Sequence, residues 1–149
     1  MAHTSNIAVL NGPNLNMLGM REPDIYGHHT LVDIEAKCRL LAQERDMGID
    51  WFQSNLEGDL IDKIQAVAGS ADWIIINAAG LTHTSVALRD ALALFPGGVI
   101  EVHLSNIHAR ESFRHTSLIS AVAKGVIAGF GTASYYMAID AISYLQLET

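Results

Sequence analysis

Short apolar runs alternate along the chain with longer segments in which apolar residues recur at helical spacing. Ile7–Leu10 is the first run; with Pro13 and two asparagines in the loop that follows, it predicts a buried strand. Thr30 and Asp33 form a capping-box-like start, and Leu31, Ile34, Cys38 and Leu41 then lie on one face of a helix running to Gly48. A second strand over Ile49–Gln53 leads to a helix whose inner face carries Leu60, Ile61, Ile64, Val67 and Ala68, closed by Gly69. A third strand spans Trp73–Ile76, and a helix from about Thr84 to Phe95 stops at Pro96. Val99–Leu104 is predicted as the fourth strand, followed by a polar stretch and a helix near Ser117–Lys124. A fifth strand over Val126–Phe130 and a closing helix over Ser134–Leu147 complete five β-α units.

This alternation predicts one α/β domain over residues 1–149, a doubly wound five-stranded parallel sheet with helices on both faces. The near-continuous apolar runs of strands one, three and five fit strands buried on both sides. The common order for five strands is 2-1-3-4-5, with its switch point between strands one and three. Ligands bind there, beyond the carboxyl ends of the strands. Three polar clusters fall at those ends: Asn11 to Asn14 after strand one, Asn77 to His83 after strand three, and Glu101, His103 and Ser105 around the end of strand four. They are expected to meet in space.

Length and charge narrow the reading. The 149 residues suffice for one self-sufficient core, burying roughly 68–70% of the unfolded surface. A net charge of -7, with 9 basic against 16 acidic residues, argues against binding a phosphate backbone, so no nucleic-acid partner is expected. The single cysteine, Cys38, forms no intramolecular disulfide, and no metal-ligand spacing occurs, so no metal is expected. With no signal-like or membrane-spanning segment at the start of the chain, the expected location is the cytoplasm.

The clusters suggest acid-base chemistry. Glu101 and His103 are two apart on a strand and leave the same face; a carboxylate beside an imidazole orients it and favours its protonated form, making His103 a candidate general acid. Arg21 and Tyr26 lie on a long connection after strand one, where lids are found. A tyrosine acting as base near neutral pH needs about 4 kcal/mol of extra stabilisation of its anion, part of which a nearby guanidinium can supply. Taken alone, Tyr26 reads more simply as a packing or hydrogen-bonding residue. Arg110 and Arg114, four apart, share a face on a helical turn and are suited to an anionic or hydroxylated ligand, although pairing with Glu111 explains them equally well. Backbone N–H groups near Leu104 and Ser105 offer a nest for a carboxylate. The first loop is neither a dinucleotide nor a P-loop signature. Asparagines stand where a phosphorelay receiver would carry acids.

In six ordered motifs the chain resembles the type II 3-dehydroquinate dehydratases. These are Asn11-Gly-Pro-Asn-Leu-Asn16 with Leu18-Gly and Arg21-Glu-Pro; Tyr26-Gly27; Ser54-Asn-Leu-Glu-Gly58; Asn77 to Asp90; Glu101-Val-His-Leu-Ser-Asn106; and Arg110-Glu-Ser-Phe-Arg114. Ala78 departs from the proline common in that family. The resemblance implies a flavodoxin-like fold and an anti elimination of water from 3-dehydroquinate, without cofactor or Schiff base. It assigns Tyr26, helped by Arg21, to proton removal and His103, held by Glu101, to protonation of the departing hydroxyl. Asn14 would place a water against the enolate oxygen, while Asn77 and the backbone at Leu104 and Ser105 would hold the carboxylate. His83 and Arg114 would bind the ring hydroxyls and Arg110 would close a lid. It further implies a dodecamer, a tetramer of trimers, in which Asp90 reaches a neighbouring site. A lyase for another hydroxylated cyclic acid, or a non-catalytic flavodoxin-like binding module, are the alternatives on the residues alone.

Overall fold

A computed structural model describes residues 5–20, 22, 24 and 28–148. Its strands are β1 (Ser5–Asn11), β2 (Met47–Gln53), β3 (Trp73–Asn77), β4 (Gly98–His103) and β5 (Gly125–Ala128). They form one parallel sheet in the order β2-β1-β3-β4-β5, as expected. Successive strand residues point to opposite faces, so β1 sends Ile7 and Val9 into one apolar layer and Ala8 and Leu10 into the other. Helices α1 (Leu31–Glu44) and α4 (Ala133–Leu147) cover the first layer, and α2 (Glu57–Val67) and α3 (Val86–Leu94) the second. Ile74, Ile75 and Ile76 of β3 are at most 1% exposed, each side chain contributing about 1.5–3 kcal/mol of burial.

The capping box of α1 is formed: Thr30 Oγ1 accepts from Asp33 N–H and the Asp33 carboxylate accepts from Thr30 N–H. Hydrogen bonds from the Thr30 backbone and hydroxyl hold the Asp33 carboxyl below its ordinary range. Beyond Glu44 the chain turns through Asp46 at φ 55°, so β2 begins at Met47, before the expected Ile49. The third predicted helix starts later than Thr84, because residues Ala79–His83 form a 3-10 turn and Ser85 caps α3 by accepting from Leu88 N–H.

Two expectations are corrected. The segment Ser117–Lys124 is no α-helix; only Ser120–Val122 turns, as a 3-10 helix, so among the described residues four α-helices cover the sheet. The hydroxyl of Ser117 accepts from Ile119 N–H and Ser120 N–H and ties them locally, competing with a helical ladder. The fifth strand is also not buried on both sides. It is an edge strand of four residues with Gly125 and Val126 exposed, and it ends where Gly129 takes φ 96°.

Candidate active site

The switch point brings the ends of β1, β3 and β4 under a single cleft. Gly12 donates its N–H to Asn77 O at 2.8 Å, and a Cβ there would stand 2.5 Å from the Ala78 carbonyl oxygen, so only glycine lets the two loops close together. Asn14 follows at φ 71°, its N–H donating to Asn55 Oδ1 at 2.9 Å. Gln53 Nε2 donates to Asn55 Oδ1 and to Gly12 O, bracing the loop against β2.

From β4, Glu101 and His103 leave the same face. Glu101 is 0% exposed and His103 5%, and the His103 Nε2 to Glu101 Oε2 distance is 2.5 Å. With Nε2 engaged, Nδ1 is the ring nitrogen left for the cleft. The carboxylate also accepts from Ser117 Oγ at 2.9 Å and from Ser120 Oγ at 2.6 Å. Burial pushes the Glu101 carboxyl up, but the hydrogen bonds from His103, Ser120 and Ser117, with the charge of His103, outweigh it and hold the group below its ordinary value. The result is a buried anion locked against one imidazole nitrogen.

At the end of β3, Asn77 Oδ1 accepts from Ala79 N–H at 3.2 Å, and Asn77 Nδ2 donates to the buried hydroxyl of Tyr135 at 3.0 Å. His83 donates from Nδ1 to Thr116 O at 2.8 Å, which leaves Nε2 for a ligand. Beyond β4, the expectation that Arg110 and Arg114 share one helical turn is corrected. Arg110 is extended at the end of one 3-10 turn (Ile107–Ala109) and Arg114 closes another (Ser112–Arg114). Both nevertheless line the cleft, and both guanidiniums lie beside Glu111, at 3.7 Å and 3.2 Å.

Asn14, Asn77, His83, His103, Leu104, Ser105, Arg110 and Arg114 therefore surround one cleft with about 730 Å³ of empty space, mouth included. Glu101 lies beneath it, behind His103. Asp90 is on the exposed side of α3 and is not among the lining residues. Arg21 and Tyr26 lie outside the described residues. Among the described residues no cluster of His, Cys, Asp or Glu is suited to a metal ion, and no helix is long and apolar enough to cross a membrane.

Residues 5–143 match the family model for dehydroquinase class II. The chain belongs to that family. A 3-dehydroquinate dehydratase from Dinoroseobacter shibae is 56% identical over 137 residues, which are 92% of this chain and 91% of the relative. One from Cereibacter sphaeroides is 53% identical over 142 residues, 95% of this chain and 97% of the relative. The crystal structure of a type II dehydroquinase from Propionibacterium acnes superposes with a TM-score of 0.91 at 40% identity, covering 96% of this chain and 99% of that one. Where members of this dehydroquinase family commonly carry proline, Ala78 takes φ -79°, a backbone angle that proline shares, so the departure leaves the loop unchanged.

Three residues of this dehydroquinase site are not evident from sequence: Ser117, Ser120 and Tyr135. The two serines sit in a stretch read as helix, and Tyr135 in the closing helix.

Proposed function

We propose that the cleft removes water from 3-dehydroquinate to give 3-dehydroshikimate by anti elimination through an enolate. The observation that carries the division of labour is His103, with Nε2 held by a buried, ionised Glu101 and Nδ1 left for the cleft. Such a group keeps one orientation and delivers one proton, as a general acid must.

Tyr26, as its phenolate beside Arg21, takes the proton next to the ketone, and the C–H electron pair moves into the enolate. The enolate then expels the hydroxyl group, which leaves as water with the proton from His103. Asn14 holds a water against the enolate oxygen, a preorganised donor where charge develops. Asn77 and the backbone N–H groups of Leu104 and Ser105 hold the carboxylate, while His83 and Arg114 contact the ring hydroxyls. Arg110 closes over the bound acid. The reaction calls for no cofactor, metal or Schiff base; the three lysines, Lys37, Lys63 and Lys124, all lie away from the cleft-lining residues. The working form is a cytoplasmic dodecamer, a tetramer of trimers, in which Asp90 of one subunit reaches toward the site of the next. The enzyme serves the shikimate route or quinate breakdown.

The test uses ultraviolet detection of the enone together with solvent exchange of the substrate's α proton. His103→Ala is expected to lower kcat by roughly 10²–10⁴-fold while exchange persists. Tyr26→Phe is expected to abolish both. Loss of exchange in the histidine variant, or its survival in the tyrosine variant, would overturn the assignment of the two steps.

A further inference from the structure

Four hydrogen bonds run in series beneath the cleft. Asn11 Nδ2 donates to Phe52 O at 3.1 Å, Tyr135 Oη donates to Asn11 Oδ1 at 2.7 Å, Asn77 Nδ2 donates to Tyr135 Oη at 3.0 Å, and Ala79 N–H donates to Asn77 Oδ1 at 3.2 Å. The chain crosses β2, β1, α4 and β3. Its polarity is set at both ends, because the Phe52 carbonyl can only accept and the Ala79 N–H can only donate. Reversing the Asn11 amide would set two carbonyl oxygens against each other, and reversing the Asn77 amide would set two N–H donors together. A phenol bridges them because its single oxygen donates once and accepts once in the same place.

We infer that Tyr135, fully buried and not among the cleft-lining residues, is a positioning residue that locks the Asn77 amide so that its second N–H is presented to the substrate carboxylate. The inference rests on the proposed role of Asn77 as a carboxylate ligand. It adds a reason for the buried hydroxyl, whose removal would leave Asn11 Oδ1 and Asn77 Nδ2 without partners. Burial pushes the Tyr135 hydroxyl well above the ordinary tyrosine range, so it stays a neutral donor at every working pH. Tyr135 thus joins α4 to recognition of an acid that it does not touch.

Steady-state kinetics on Tyr135→Phe, Asn77→Ala and the double variant test this. Loss of one positioning hydrogen bond is expected to raise KM about fivefold in Tyr135→Phe, with kcat changed less than about twofold. Asn77→Ala is expected to raise KM further, and the double variant to match Asn77→Ala alone, because the tyrosine acts through the amide. An unchanged KM in Tyr135→Phe, or full additivity in the double variant, overturns the inference while leaving the role of Asn77 intact. An unchanged KM in Asn77→Ala removes the carboxylate reading itself, and the inference with it. Should Tyr135→Phe fail to fold, Asn11→Ala keeps the ring packed and breaks the chain one bond further away. It must then show the same rise in KM in a folded enzyme, and an unchanged KM there overturns the inference as well.

Discussion

On one side of the cleft, Asn77, Glu101 and His103 stand at the ends of β3 and β4, at most 5% exposed, with buried or half-buried partners on most of their polar atoms. On the other side Asn14, Arg110 and Arg114 ride on 3-10 turns and bond to exposed groups such as Asn55 and Glu111. Hydrogen bonds in the low-dielectric wall are strong and costly to leave unmade, so they hold one geometry. Those at the open wall compete with water and salt, so they hold a geometry only loosely. In the proposed reaction the rigid wall is the one assigned to deliver a proton along a fixed line. The wall assigned to receive and cover the substrate is the one able to exchange its partners.

Among the residues that support His103 or line the open wall, Glu101→Gln has the largest effect. Replacing the anion with an amide keeps the volume but removes the charge that orients His103, and kcat is expected to fall roughly 10²-fold with little change in KM. The same variant changes stability in acid. The folded Glu101 holds its proton less readily than the unfolded chain, whose ordinary value is 4.5, so the stability it contributes is fully present above that pH and is lost as pH falls through the lower folded value. Denaturant titrations should therefore show a shallower loss of stability below pH 4.5 in Glu101→Gln than in the wild type. An equally steep acid branch would mean that other carboxylates govern it.

Asn14→Gly probes the open wall at the next size of effect. Asn14 has φ 71°, so alanine would add backbone strain to the loss of the amide, whereas glycine adopts this angle freely. The glycine variant should lose about tenfold in kcat through the misplaced water, with its melting temperature little altered. Full turnover would exclude the amide from the reaction.

Ser120→Ala and Ser117→Ala separate two roles within the rigid wall. Each serine donates to Glu101, but Ser117 also accepts from the N–H groups of Ile119 and Ser120. Both variants are expected to lower kcat about fivefold and to lower the melting temperature, Ser117→Ala by more because it also leaves two N–H groups without their acceptor. Equal losses of stability would show that the hydroxyls matter mainly to the fold of their loop.

The contrast between the walls also explains what could be read from sequence. Strand order, the capped start of α1 and the meeting of Asn14, Asn77, His83 and His103 follow from periodicity, from Thr30 and Asp33, and from the rule that ligands gather at the switch point. Glu101 was legible because it is two residues from His103 on one strand. Its other partners were not: Ser117 and Ser120 lie 16 and 19 residues away in an irregular crossover, and Tyr135 is 58 positions from Asn77. Short-range pattern encodes which face a residue takes, but not which distant hydroxyl will meet it. The exposed edge of β5 was misread for a related reason, since an apolar run looks the same whether one side or both are covered. The arginines were misplaced on a shared turn because spacing alone cannot show that Arg110 is extended.

The smallest effect is expected at Glu111, and it tests the open wall most directly. Its carboxylate is exposed; hydrogen bonds from the backbone of Glu111 itself and from the Arg114 guanidinium, with the charges of Arg114 and Arg110, hold its carboxyl below the ordinary range. In the proposed binding mode the substrate, itself an acid, competes for the same guanidiniums, so Glu111→Ala removes both a support and a competitor. These opposing contributions, each screened by salt, should leave KM within about twofold of the wild type at 0.15 M ionic strength, with a somewhat larger difference at low salt. A tenfold rise in KM that persists at high salt would mean that Glu111 holds the arginines as rigidly as Glu101 holds His103. The difference between the two walls would then lie in their chemistry and not in their mobility.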